Sequence, residues 1–164
     1  SWRGPYGDEQ DFLLAGRIIE VKTQLSTADR YLNVSSEDQL DTGSGSIMIC
    51  HQTLDVPASD QGEACSLNGL ITTMAEVVAS ADIAAADLFR SALLEAGYRK
   101  REEYDRPFWL LNARTYLEVR DGFPRIVPSM LEPGIGNVRY RVAVQACAEF
   151  KIDEDLAKEW AFSG

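Results

Sequence analysis

Histidine is nearly absent from this sequence. The one copy, His51, has no second imidazole and no cysteine at metal-ligand spacing. That removes the support for a zinc site or a Ser-His-Asp relay, and His51 reads as structural. Cysteine is scarce too. Cys50, Cys65 and Cys147 are odd in number and widely spaced, so a disulfide framework does not fit and a reducing, cytoplasmic setting is expected. No apolar run reaches the roughly 18 residues that a membrane span needs. The start, Ser1-Trp2-Arg3-Gly4-Pro5, has neither the apolar centre of a signal peptide nor an initiator Met, so the sequence reads as a processed or excised piece of a longer chain. Repeats, low-complexity tracts and linkers are also missing, and residues 1–164 are expected to form one domain.

What is present is an ordinary globular balance, 45% hydrophobic and 26% charged. The charge is acidic: 26 Asp+Glu against 16 Lys+Arg, a net of −10, which argues against a protein that coats nucleic acid electrostatically. The distribution is uneven. Residues 97–142 are net basic and include Arg125, Arg139 and Arg141. Such a strip can meet phosphate, or it is a solvated face with local salt bridges.

The apolar and β-branched pattern predicts strands over 11–14, 17–24, 30–34 and 46–54, the last apolar enough to be central. Ser36 and Gln39 have capping-box spacing, which predicts a short helix from Ser36, and 41–46 reads as a flexible turn. Helical spacing recurs over 66–80 and 82–96, the second ending at Gly97. Residues 108–119 read as a strand, 123–128 as extended around two prolines, 138–150 as a long strand and 153–161 as a closing helix. The order gives an α+β fold, a mixed sheet flanked by helices.

The informative stretch is Asp11 to Lys22. On a strand, Glu20 and Lys22 share a face while Val21 points the other way. A two-residue loop at Ala15-Gly16 pairs Leu14 with Arg17, Phe12 with Ile19 and Asp11 with Glu20. Ala-Gly is not the preferred pair for such a loop, so a register slip by one is the alternative. Two carboxylates directly opposite each other repel. Either one is protonated or a cation bridges them, and Mg²⁺ suits one or two carboxylates plus water and phosphate. Lys22 beside them can orient a water or steady charge on phosphate. The bland alternative is a surface salt bridge, since E-x-K triplets are common.

Asp11 followed by Glu20-x-Lys22 on the next strand of a hairpin resembles the PD-(D/E)XK nuclease superfamily. More closely, the chain resembles an uncharacterised bacterial family assigned to that superfamily and associated with restriction and phage-defence loci. The matching pieces are Trp2-Arg3-Gly4-Pro5, Gln10-Asp11-Phe12, Ile19-Glu20-Val21-Lys22-Thr23, Ser35-Ser36 with Gln39-Leu40, Phe123-Pro124-Arg125-Ile126 and Gly136-x-Val138-x-Tyr140. The resemblance implies a restriction-endonuclease-like core whose first helix is expected upstream of Ser1. It implies Asp11, Glu20 and the Val21 carbonyl as metal ligands, Lys22 at the attacking water, and Gln39 as a glutamine near the active site. Gln39 as a helix cap explains its position equally well. The implied cofactor is Mg²⁺, with Mn²⁺ as substitute. The implied partners are DNA, helicase/ATPase or methyltransferase subunits of a defence system, and a second copy in a homodimer, with no membrane. Asp11 departs from the motif in following Gln10 rather than proline.

The expected function is a metal-dependent DNA endonuclease. The competing readings are a catalytically inactive nuclease-like module for nucleic-acid binding or subunit assembly, and an unrelated α+β interaction domain. Arg125 could reach a phosphate from Phe123-Pro124-Arg125 or simply lead into a strand. The aromatic and basic mix of Tyr98–Trp109 suits single-strand binding, or a loop entering a core strand. Gly134-Ile135-Gly136-Asn137 reads as a turn.

Overall fold

The computed structural model describes residues 1–59 and 62–162. Seven strands and three α-helices form among them: β1 (Phe12–Leu14), β2 (Arg17–Leu25), β3 (Tyr31–Val34), β4 (Ser46–Asp55), α1 (Leu67–Ala81), α2 (Ile83–Glu95), β5 (Leu110–Val119), β6 (Tyr140–Ala143), β7 (Lys151–Ile152) and α3 (Glu154–Phe162). Five strands make one sheet in the order β1-β2-β4-β5-β7, and β3 pairs with β6 in a separate ribbon. The α+β class is as expected, and β4 takes the central place. No helix among the described residues is long and apolar enough to cross a membrane.

The chain divides into two compact units, Ser1–Thr53 with Ala113–Gly164, and Leu54–Asn112. In the first unit, period-two alternation buries both faces of the sheet. Ile18, Ile47, Ile49, Leu117 and Val119 pack with Leu32, Val34 and Val142 of the ribbon and with Leu40, Phe123 and Phe150. The residues between them, Ile19, Met48 and Tyr116, join Ala157, Trp160 and Ala161 of α3 in a second cluster. His51, on β4, is buried, and burial helped by Arg30 and Lys151 pushes its imidazole below the ordinary range.

The second unit is built on α1 and α2. Ser66 caps α1 by accepting from the Gly69 N–H, and Asp82 caps α2 by accepting from the Ala84 N–H. Gly97, at φ 79°, follows the end of α2, and the Tyr98 N–H returns to the Leu93 carbonyl. Asn68 is buried and satisfied: it donates to the Arg101 carbonyl and Asp105 and accepts from the Tyr98 hydroxyl.

Two expectations are corrected. No helix starts at Ser36; residues 35–36 are irregular and 37–40 are a bend and a turn. A capping box needs the Ser36 hydroxyl on the Gln39 N–H, but that hydroxyl is buried without a partner and the Gln39 side chain is held elsewhere. The long strand over 138–150 stops at Ala143, and Val144–Phe150 is a 3₁₀ helix. Its sequence, Val-Gln-Ala-Cys-Ala-Glu-Phe, has one β-branched residue, and its buried positions, Cys147 and Phe150, lie three apart, the 3₁₀ repeat.

Candidate functional site

Ala15 and Gly16 both take positive φ, 48° and 82°, as a two-residue turn of the type I′ kind requires. The register is the expected one, Leu14 with Arg17, Leu13 with Ile18 and Phe12 with Ile19, so Asp11 and Glu20 stand one step beyond the last pair. The segment before β1 lies alongside it. Trp2 bridges to Phe12, and the Arg3 and Gly4 N–H groups donate to the Asp11 carbonyl at 2.7 and 3.3 Å. A Cβ on Gly4 would sit 3.3 Å from an Asp11 carboxylate oxygen, so a side chain there would crowd that carboxylate. The other oxygen, Oδ2, accepts from the Val21 N–H at 2.8 Å.

Glu20 is 3% exposed on the same face of β2 as Ile18. Its Oε1 accepts from Lys22 Nζ and from Gln39 Nε2, each at 2.8 Å. Its Oε2 is buried with no hydrogen-bond partner. Burial raises the Glu20 pKa above the carboxylate range. Lys22 pulls it back, and the charge of Asp11 pushes it further up.

Gln39 holds the group together. Its Oε1 accepts from Lys22 Nζ at 2.8 Å and from the Ser35 N–H at 3.0 Å, and its Nε2 donates to the Glu9 carbonyl at 3.1 Å as well as to Glu20. Of the two readings of Gln39, cap or neighbour of the acidic cluster, the structure has the second. The supports from Ser35, Glu9 and Gly4 are backbone features, which side-chain motifs do not announce. Glu37 carried no motif signal either: it is buried and accepts from the Asn137 and Val138 N–H groups at 2.9 and 2.7 Å, bracing the Gly136–Val138 segment.

The residues fit a hard divalent cation. Glu20 presents a buried carboxylate oxygen without a hydrogen-bond partner, and Asp11 and the Val21 carbonyl would be the further oxygen donors. Mg²⁺ uses only one or two carboxylates and keeps its waters, so a set of this size is of the kind it takes. Among the described residues no three His, Cys, Asp or Glu side chains form a ligand group for any metal, so an ion here would rest on two carboxylates and backbone or water oxygens, and all three cysteines are free. Arg125, the other candidate phosphate ligand, donates to the Leu40 carbonyl at 2.8 Å and ties down the loop instead.

Comparison with curated proteins and with solved structures gave no match. A family described as "Putative PD-(D/E)XK family member, (DUF4420)" matches residues 1–145. The match spans most of the chain and contains Asp11, Glu20, Lys22 and Gln39, and the protein belongs to this family of the nuclease-like PD-(D/E)XK type.

Proposed function

We propose that Asp11, Glu20, Lys22 and Gln39 form the active site of a divalent-metal-dependent DNA endonuclease, acting within a restriction or phage-defence system in which partner subunits contribute target choice. The observation that carries this is the Glu20 carboxylate: one oxygen anchored by Lys22 and Gln39, the other buried and unpartnered. Asp11, Glu20 and the Val21 carbonyl would hold Mg²⁺, with Mn²⁺ as substitute. When bound, such an ion supplies positive charge to the phosphate oxygens and acidifies water.

The chain's own groups do the rest. An ammonium has three protons, and Lys22 uses two on Glu20 and Gln39, leaving one to meet an attacking water or a phosphate oxygen. Gln39 fixes that ammonium, and Asp11 is fixed through the β2 backbone.

The test is plasmid cleavage by the full chain with Mg²⁺ or Mn²⁺. Glu20→Gln and Lys22→Ala are each expected to lower the rate at least about 10²-fold. Mg²⁺ is expected to raise the melting temperature of the native chain and not of Asp11→Asn. Cleavage by Lys22→Ala at the native rate would overturn the assignment. The net charge of −10 favours a second reading, an inactive module for nucleic-acid binding or subunit assembly. Its signature is DNA or partner binding with no Mg²⁺ response.

A further inference from the structure

We propose that the outward face of the β3–β6 ribbon is the track along which a nucleic-acid backbone reaches the Glu20 site, with Arg139 and Arg141 as its phosphate-binding groups. The proposal rests on the function proposed above for the chemistry at the end of the track.

The ribbon has two unlike faces. Leu32, Val34 and Val142 point into the core, so the alternate residues Tyr31, Asn33 and Arg141 point out. Arg139 lies two residues before Arg141, which puts the two Cα atoms about 6.7 Å apart along an extended chain. Both side chains line one open groove with Asn33, Val34, Ser35 and Tyr140.

Among the described residues Arg139 and Arg141 are two of the arginines left without an acidic partner, as are Arg30, Arg99 and Arg106, but these two share one groove. Arg3, Arg90, Arg101 and Arg120 are all occupied by acidic neighbours. Arg139 and Arg141 are exposed and form no ion pair among the described residues. In a chain with 26 acidic side chains, two adjacent arginines without ion pairs make a local surface that suits an anion. Arg141 is held in place as well: its guanidinium lies 4.7 Å from the centre of the Tyr31 ring. Guanidinium forks suit phosphate oxygens, and the Asn33 amide and Ser35 hydroxyl add neutral hydrogen-bonding groups of the kind that meet a sugar-phosphate backbone.

The groove adjoins the loop that carries Gln39. Ser35, which lines it, donates its N–H to Gln39 Oε1, the atom that also holds Lys22. Ser35 is thus the lining residue through which a strand lying over Arg141 and Arg139 would meet the loop that fixes Lys22.

The experiment is binding of a labelled DNA duplex to the full chain in Ca²⁺, titrated over salt. Removing one cationic group that neutralises a phosphate lowers the slope of log affinity against log salt by about 0.9. Arg139→Ala and Arg141→Ala are each expected to weaken binding about threefold to tenfold and to lower the slope by about that amount. Tyr31→Leu is expected to weaken binding with the slope unchanged, because it frees Arg141 without removing its charge. Arg101→Ala, already paired with Glu103, is expected to do neither. No duplex binding by the native chain, unchanged slopes in both arginine variants, or equal competition by polyglutamate would each overturn the proposal, the last by pointing to an acidic protein instead. If slopes respond but Mg²⁺ never produces cleavage, the track stands and the nuclease reading falls. If the native chain cleaves and the slopes do not respond, only the track falls.

Discussion

Gln39 uses all four of its hydrogen-bonding positions, two as acceptor and two as donor. That census fixes which end of the amide is oxygen. Turned over, its NH₂ would face the Lys22 ammonium and the Ser35 N–H, and its oxygen would face the Glu9 carbonyl and the Glu20 carboxylate. Gln39→Glu keeps the shape and removes both donors, one beside the part-buried Glu9 carbonyl and one beside the buried Glu20 carboxylate. We expect it to lose about 3 kcal/mol of stability at pH 7 and to recover part of that as acid protonates the new carboxyl. Gln39→Met, which lacks the repulsion, is expected to lose less and to show no such recovery. Urea unfolding at pH 7 and pH 5 compares them, and a Gln39→Glu chain as stable as the native one at pH 7 would refute the orientation. At this scale much was legible from the sequence: Asp11, Glu20 and Lys22 fall where the hairpin spacing put them, whereas spacing made Gln39 a helix cap and only the family resemblance set it beside them. What spacing could not show is the fourfold use of Gln39. Its partners, Glu9 and Ser35, contribute only backbone atoms, which any residue type supplies.

The β1–β2 hairpin is the element on which the site depends, because its register alone sets Asp11 against Glu20. Its turn is unusual in having Ala15 at φ 48°. An L-residue other than glycine or asparagine is strained there, by about 1 kcal/mol. Gly45 accommodates the turn: a Cβ at that position would fall on the Gly16 carbonyl oxygen, so the Gly16 backbone closes directly over Gly45. Ala15→Asn restores the Asn-Gly pair that such turns prefer and is expected to stabilise the chain by about 0.5–1 kcal/mol with the register unchanged. A raised urea midpoint at constant slope checks it, and a lowered midpoint would show that the turn is not of this type. β2 was readable for the same physical reason that it forms, since it buries Ile18 and Glu20 at its own repeat; β4 buries a continuous run, and α1 and α2 were readable from a helical spacing of apolar residues that they leave largely exposed. The failures fall where side chains leave their local partners. Ser36 and Gln39 satisfy a capping rule on paper, but Gln39 gains more from a buried carboxylate and ammonium than from one N–H. Over 144–150 the apolar content suggests a strand, yet only positions 147 and 150 are buried, and a three-residue repeat needs no alternation.

At the scale of the molecule, the chemistry belongs to one unit. Asp11, Glu20, Lys22, Gln39, the β3–β6 ribbon and both apolar clusters all come from Ser1–Thr53 and Ala113–Gly164. No described residue of 54–112 belongs to either cluster. That segment leaves at the end of β4 and returns at the start of β5, which are neighbours in the sheet. Its two ends are side by side: Asn112 Nδ2 donates to Asp55 Oδ2 at 2.8 Å. A chain that departs and re-enters at adjacent strand ends can be shortened to a hairpin without moving either strand, because loop length costs stability only logarithmically. Composition gave no warning of this, since 54–112 opens and closes without a flexible linker and has its own helix caps and buried Asn68. Replacing residues 56–110 by a short Gly-rich turn is expected to leave a cooperatively unfolding protein whose melting temperature still rises with Mg²⁺. Calorimetry with and without the ion reads both outcomes. A shortened chain that melts without cooperativity would show that 54–112 is part of the scaffold. One that melts cooperatively but ignores Mg²⁺ would show that the site draws on this segment and is not complete within the sheet that carries Asp11 and Glu20.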